Sequence, residues 1–443
     1  WIYDFTAYDF WSKPLGLLYI ASILKQFDLK IDYIDCMDRY HPDLLRIQNL
    51  QYPKNDYFGM GPFYKTPVPK PPILRNIPRN YSRYGMIESI FKKTLKQIDK
   101  PDIVLITSIM TYWYPGVFRA IRLVKQQFPD VPIVLGGIYA TLCYQHALAF
   151  SGADYVFKST ESIRQLLGLL QKKDLLGACG FKKSKNDYPF NNYPYPAWDL
   201  YPRLDYVCLI TTKGCPYRCH YCASYLINPS LEFRNPFEVV REIEYWNQKK
   251  GIHDFIFYDD ALLVNAQEQF VLIMKEIRKK ALNIRFHTPN ALHARMITKS
   301  VAKLMYRAGF KSVWLGFETS DHHLQIKTGG KINNIQFEKA VGYLLEAGFT
   351  PNQIRAYVLI GIPGENYKNM MSSVKFVLNT GIKPYLAKFS AIPGTKIWQQ
   401  VIHDYGWQEP VDPLCHNDAL LPHYSRSISP KQIQSLKMLI RQK

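Results

Sequence analysis

The stretch Asp205-Tyr-Val-Cys-Leu-Ile-Thr-Thr-Lys-Gly-Cys-Pro-Tyr-Arg-Cys-His-Tyr-Cys222 decides how the rest of the chain is read. It opens on an apolar run, residues 206–210, short and continuous like a buried strand. Directly after it, Cys215, Cys219 and Cys222 are spaced CxxxCxxC, close enough for three thiolates to converge from one loop. Thiolates are soft ligands suited to iron–sulfur clusters or zinc. A structural zinc site wants a fourth ligand. His220, inside the motif, is sterically poor for that role, and no CxxC or HxxxH pair follows downstream. Three cysteines on a four-iron cubane leave one iron open, as a substrate-binding cluster requires.

Further apolar runs at 254–258, 284–287, 312–316, 354–360 and 385–389 are separated by helical stretches of suitable length. Six strand-and-helix units predict an open, partial (β/α)6 barrel of the TIM type, whose chemistry sits at the carboxyl ends of the strands. The unusual residues follow the strands closely: Cys215 the first, Asp259 and Asp260 the second, Glu318 the fourth, residues 361–365 the fifth. That order predicts one site facing one way.

With the aromatic Tyr221 just before its last cysteine, the GCPYRC segment resembles the radical S-adenosylmethionine (SAM) superfamily. The resemblance implies a 4Fe-4S cluster on Cys215, Cys219 and Cys222, whose open iron chelates the methionine end of SAM. Reductive cleavage would give a 5'-deoxyadenosyl radical. Such chemistry needs a cluster potential near the low end of the known range, roughly -700 mV, and hence a donor such as a flavodoxin or ferredoxin. Tyr221 is expected beside the cofactor, with Asp259 or Asp260 near its amine; the aspartate not so used reads as a cap. By the same resemblance Glu318, in Trp-Leu-Gly-Phe-Glu, holds the ribose hydroxyls. The turn Gly361-Ile-Pro363-Gly364-Glu365 lays its backbone against the adenine, where glycine allows close approach. Thr395, in a Pro-Gly-Thr turn, reads equally as structural. Arg355 and Lys388 can point either way along their strands, and Met305 and Phe310 read as core.

Upstream, Leu15, Leu18, Ala21 and Leu24 mark an apolar helix, and Val117, Ala120, Ile121 and Val124 another. Runs at 31–34, 102–106, 132–135 and 154–157 read as strands, predicting a doubly wound parallel sheet whose first strand is missing. Residues 51–80, rich in proline, read as an insertion. Pro14-Leu15-Gly16, Thr107-Ser108, Leu135-Gly136-Gly137 and Gly152-Ala-Asp154 resemble the cobalamin-binding domain that precedes the barrel in one branch of the superfamily. That implies corrin contacts at Leu15, Gly16, Ser108, Gly136 and Gly137. The DxHxxG signature that supplies an axial histidine is absent, and Lys13 stands where the histidine would be. Cobalamin would then bind without a protein axial ligand; the alternative is a domain that keeps the fold and holds no corrin. His41 and His146 read as ordinary hydrogen-bonded histidines.

The chain of 443 residues thus divides into a cobalamin-binding-like domain over 1–160, with an insertion near 41–100, a linker at 161–205, a radical SAM barrel over 206–395 and an extension over 396–443. Apolar residues at 47% and charged ones at 21% are ordinary globular values that exclude a largely disordered protein. The formal charge of +20 attracts anionic partners, but the lysines and arginines are dispersed, so nucleic acid is not favoured as the target over a small molecule or peptide. Of the eight cysteines, Cys36, Cys143, Cys179, Cys208 and Cys415 show no ligand spacing and read as core or surface thiols. The absence of a long uncharged apolar window or leader points to a clipped cytoplasmic protein. The function expected is cobalamin-dependent methyl transfer to an unactivated carbon. The alternatives are a cobalamin-independent radical tailoring reaction, such as cyclisation or rearrangement, and a non-catalytic metal- or corrin-binding module.

Overall fold

The computed structural model describes residues 1–176, 189–424 and 427–442. Cys179, read from the sequence as a core or surface thiol, lies outside them, as does part of the expected linker. The chain forms two compact units, Trp1–Arg203 with Pro410–Asn417, and Leu204–Glu409 with Asp418–Lys443.

In the first unit, helix α1 (Leu15–Lys25) buries Leu15, Leu18, Ala21 and Leu24, the stripe its sequence spacing predicts. Strand β1 (Val104–Ser108), helix α2 (Tyr114–Gln127), strand β2 (Ile133–Gly136), helix α3 (Gly137–Leu142) and strand β3 (Tyr155–Val156) follow. The strands make a parallel sheet in the order β1-β2-β3. Ile133 and Leu135 are fully buried on its core against Val117 and Ile121 of α2, the near-continuous apolar character of a strand covered on both faces. The expected strand at 31–34 has no ladder partner. It faces the free side of β1 across a groove of about 440 Å³ lined by Ile31, Tyr33 and Asp35 opposite Leu105 and Thr107. A strand is defined by its hydrogen-bonded neighbour, so propensity alone did not suffice here.

Two further departures concern the flanks. Residues 51–80 are more than an insertion: Lys65–Pro67 pairs antiparallel with Ser82–Tyr84, which pairs with Ile2–Asp4, and Leu74 and Ile77 are buried. Helix α4 (Ser162–Lys172), inside the stretch read as linker, packs Leu166, Leu167 and Leu170 with Leu24 into a second apolar cluster of this unit. The returning segment Pro410–Asn417 is tied in by polar contacts. The Tyr114 hydroxyl donates to Asp412 at 3.1 Å, His416 Nδ1 meets Thr111 Oγ1 at 3.0 Å, and Asn417 donates to Asp4 at 3.0 Å.

The second unit holds strands β4 (Tyr206–Leu209), β5 (Asp254–Phe257), β6 (Arg285–His293), β7 (Phe310–Glu318), β8 (Ile354–Ile360) and β9 (Lys383–Lys388) in one six-stranded sheet, order β9-β8-β7-β6-β5-β4, all parallel. Strands β4 and β9 form its two edges, so the barrel is open as predicted. Helices fill the crossovers: α5 (Pro236–Lys250), α6 (Phe270–Lys280), α7 (Lys299–Arg307), α8 (His322–Lys327), α9 (Asn334–Ala347) and α10 (Tyr367–Asn379). All of these but α6 start on a side-chain cap: Asn235, Thr298, Asp321 and Asn366 each accept a backbone N–H, and Asn333 forms a capping box with Gln336. Phe257, Phe286 and Phe310 pack ring to ring beneath the sheet, with Met305 fully buried nearby.

Candidate functional site

Every strand of the barrel ends on the same side, and the polar residues that follow them are held by specific local devices. The cysteine loop leaves β4 through Thr211 and Thr212, which Asp259 grips from the end of β5. One carboxylate oxygen of Asp259 accepts the Thr211 N–H at 2.9 Å, the Thr211 hydroxyl at 2.5 Å and the Thr212 N–H at 2.6 Å. Burial pushes this carboxyl up to about 7 against those bonds. Asp259 thus braces the loop through one oxygen, while its buried Oδ2 has no hydrogen-bond partner, and Asp260 is half-buried, 3.4 Å from the Asn228 amide. At Gly214, φ is +83° and a Cβ would fall 2.2 Å from the Ser230 carbonyl oxygen, so only glycine can launch the loop.

Within the loop, the Cys222 N–H donates to the Cys219 carbonyl at 3.0 Å and the Ser224 N–H to the Cys222 sulfur at 3.4 Å. Burial raises all three thiols, Cys215 to about 11. Coordination reverses this, because a metal binds thiolate. Among the described residues no three His, Cys, Asp or Glu side chains converge where a single ion can sit. A cubane makes no such demand, since each thiolate takes a different iron, and three half-buried or buried thiols on one loop fit it. Burial also raises the Tyr221 phenol, with Glu318 and Cys219 beside it.

Glu318 ends β7 with φ at +65°, a left-handed conformation rare outside glycine, at a register shift in the ladder to β8. Its Oε1 accepts from Lys331 Nζ at 2.8 Å, while its buried Oε2 has no hydrogen-bond partner. The turn after β8 carries Gly361 at φ +84° and Gly364 at φ +86° around Ile362 and Pro363, and the Glu365 N–H closes it on the Ile362 carbonyl at 3.0 Å. A Cβ on Gly361 would meet the Leu421 side chain at 2.6 Å. Glu365 itself is 3% exposed, and burial pushes its carboxyl to about 8. Thr395 donates to the Ile392 carbonyl at 2.7 Å, a turn contact. Lys388 pairs with Asp418 at 3.1 Å at the carboxyl end of β9, whereas Arg355 donates to the Pro351 and Ile354 carbonyls at the opposite end of β8.

Sequence reasoning missed two residues of this site. His293, at the end of β6, is 8% exposed and packs edge-on against Tyr217 of the cysteine loop with ring centres 4.6 Å apart. Its Nδ1 is buried without a partner, and burial holds its pKa down at about 3, so the ring is neutral. Lys331 follows a Gly329-Gly330 pair, the one signal that a tight turn delivers it.

In the first unit, the residues expected at a corrin sit at the carboxyl end of the sheet or at the start of α1. Ser108 bridges to Gly137 and donates its hydroxyl to the Met110 carbonyl at 2.9 Å. Gly137 has φ +88°, and a Cβ there would lie 2.3 Å from Thr107 Oγ1. Gly16 and Gly136, by contrast, face space: an added Cβ meets nothing within 4 Å at Gly16 and only the Phe157 carbonyl oxygen, at 3.9 Å, at Gly136. Leu15 is buried core. Lys13, at the axial-ligand position, is buried, 3.6 Å from Asp35 and over the Tyr201 ring. His146 bonds the Tyr139 hydroxyl at 2.6 Å, as its ordinary reading requires. This edge fits a group held by backbone and shape rather than by a ligand side chain.

Residues 209–377 match the family model of the radical SAM superfamily, and residues 86–167 that of the B12 binding domain. An uncharacterized methyltransferase of Pyrococcus horikoshii is 24% identical over 341 residues, 70% of this chain and 71% of that protein. An anaerobic magnesium-protoporphyrin IX monomethyl ester cyclase of Rubrivivax gelatinosus is 22% identical over 304 residues, 62% of this chain and 54% of the cyclase. The structure of the radical SAM methyltransferase TsrM from Kitasatospora setae, with cobalamin and a 4Fe-4S cluster bound, superimposes with a TM-score of 0.62 at 15% identity, covering 80% of this chain and 82% of that one. At that identity the likeness establishes the shared fold.

Proposed function

For a chain that carries a radical SAM domain behind a B12-binding domain, we propose methyl transfer to an unactivated carbon, dependent on cobalamin. The two domains imply a 4Fe-4S cluster with SAM, and cobalamin. The observation that carries the reading is the pairing of a three-cysteine loop with four neighbouring strand ends in one unit, and an open, glycine-lined sheet edge in the other. The methyltransferase names of the Pyrococcus relative and of TsrM support it. When bound, the cluster supplies the electron that cleaves SAM, and cobalamin carries the methyl group.

Cys215, Cys219 and Cys222 hold the cluster. Asp260 accepts from the methionine amine, while Asp259 fixes the loop through Thr211 and Thr212. Glu318, with its unpartnered oxygen, accepts from the ribose hydroxyls, and the 361–365 turn lies along the adenine. Gly16, Ser108, Gly136 and Gly137 shape the corrin seat. A low-potential one-electron donor of the flavodoxin or ferredoxin type supplies the reducing equivalent. No helix among the described residues is long and apolar enough to cross a membrane.

The test is product analysis of anaerobically reconstituted protein with SAM and dithionite. Methyl transfer through cobalamin predicts S-adenosylhomocysteine only when hydroxocobalamin has been loaded. Formation of 5'-deoxyadenosine alone, whether or not cobalamin is present, would instead support the radical tailoring that the similarity to the Rubrivivax cyclase favours.

A further inference from the structure

The loop between α8 and α9 does more than connect them. Gly330 N–H donates to the Gln325 carbonyl at 2.8 Å, ending α8, and Asn333 caps α9, so Lys331 sits on the short link between Lys327 and Asn334. The link lies on the cysteine loop: the Thr328 carbonyl accepts the His220 N–H at 3.2 Å. Gly329 has φ +133°, and a Cβ on it would fall 3.1 Å from Cys219 Cα and 3.2 Å from its sulfur. The Lys331 side chain is 15% exposed; its ammonium lies 2.8 Å from Glu318 and 3.0 Å from where a Cβ on Gly316 would stand, inside the barrel. Burial pulls this ammonium's pKa down, and Glu318 with Cys219 more than offsets that, leaving it raised and the lysine charged; Cys222 adds in the same sense.

A largely desolvated ammonium is costly, and one carboxylate with a free second oxygen does not explain why it is carried on a link that packs against the Cys219 backbone and sulfur. We propose that Lys331 sets the reduction potential of the cluster, its fixed positive charge favouring the reduced state. The proposal rests on the reading of Cys215, Cys219 and Cys222 as cluster ligands. One-electron reduction adds a negative charge to the cluster, and a cation fixed nearby in a poorly hydrated site stabilises that charge, one of the recognised levers on cluster potential. Glu318, on the same ammonium, works in the opposite sense.

The experiment is an electron paramagnetic resonance titration of the full chain, reconstituted anaerobically with iron and sulfide and without SAM. Lys331→Gln should cut the reduced fraction at fixed potential about tenfold, equal to a 59 mV shift to lower midpoint for one electron. Lys331→Arg should restore it, and Glu318→Gln, which leaves the lysine unpaired, should shift the midpoint upward. An unchanged midpoint in Lys331→Gln with full iron content overturns the proposal. Should Lys331→Gln assemble no cluster, Lys331→Met with full iron content decides in its place, and an unchanged midpoint there overturns the proposal. The underlying ligand assignment fails separately: Cys219→Ala would then keep its iron and its signal.

Discussion

The strand ends of the barrel and those of the N-terminal sheet are two versions of one arrangement, and they are furnished in opposite ways. The barrel presents side chains: three thiols, Asp260, Glu318 at φ +65° and the half-buried Lys331. The N-terminal unit presents backbone and space at Gly16, in the first turn of α1, and at Gly136, at the end of β2, and it withdraws the lysine that stands in the ligand position into a pair with Asp35. The first edge is built to hold a cofactor by bonds, the second to hold one by shape. Substitutions should therefore act differently in the two.

The largest contrast is expected from Cys219→Ala, which should abolish the brown absorbance of the reconstituted cluster while leaving hydroxocobalamin retention at the parental level; loss of both would break the comparison. Next, Glu318→Gln should weaken SAM binding by about 10- to 100-fold in equilibrium dialysis, the effect of weakening a charge-assisted acceptor for two hydroxyls. On the glycine edge, Gly136→Leu should lower cobalamin retention with little change in melting temperature, whereas Gly137→Ala, at φ +88°, should cost about 1–3 kcal/mol of stability by denaturant titration. A smaller effect belongs to Glu365. Its carboxyl is held at about 8, so the folded state binds the proton that the unfolded chain releases above its ordinary value near 4.5. Stability from this group is complete below that value and is lost as pH rises through 8, and Glu365→Gln should flatten that fall in urea titrations across pH 5–9. Least of all, Lys13→Met should leave the visible spectrum of bound cobalamin unchanged, because the lysine is not aimed as a ligand; a spectral shift would show that it is.

The same contrast explains what the sequence reveals. On the proposed reading, ligating side chains leave a spaced motif, so Cys215, Cys219, Cys222 and the six barrel strands are legible from residue order and periodicity. The proposed seat, made by backbone, leaves only scattered glycines, and it is residues 86–167 that match the B12 binding domain model. The unpaired segment at 31–34 was misread because strand propensity says nothing about a neighbour. Helix α4 was hidden by the composition of the linker around it. That Asp259 of the Asp259–Asp260 pair braces Thr211 and Thr212 shows only in the folded contacts. Lys331 and His293 carry no motif, and their place depends on turns 13 residues beyond Glu318 and at the end of β6.

The central claim is that the cysteine loop cleaves SAM reductively. It is tested most directly by mass-spectrometric assay of 5'-deoxyadenosine from anaerobically reconstituted chain, SAM and dithionite, beside the Cys219→Ala variant. The account predicts 5'-deoxyadenosine from the parent and none above buffer from the variant. Equal formation by both, or none from a parent holding its full complement of iron, would contradict it.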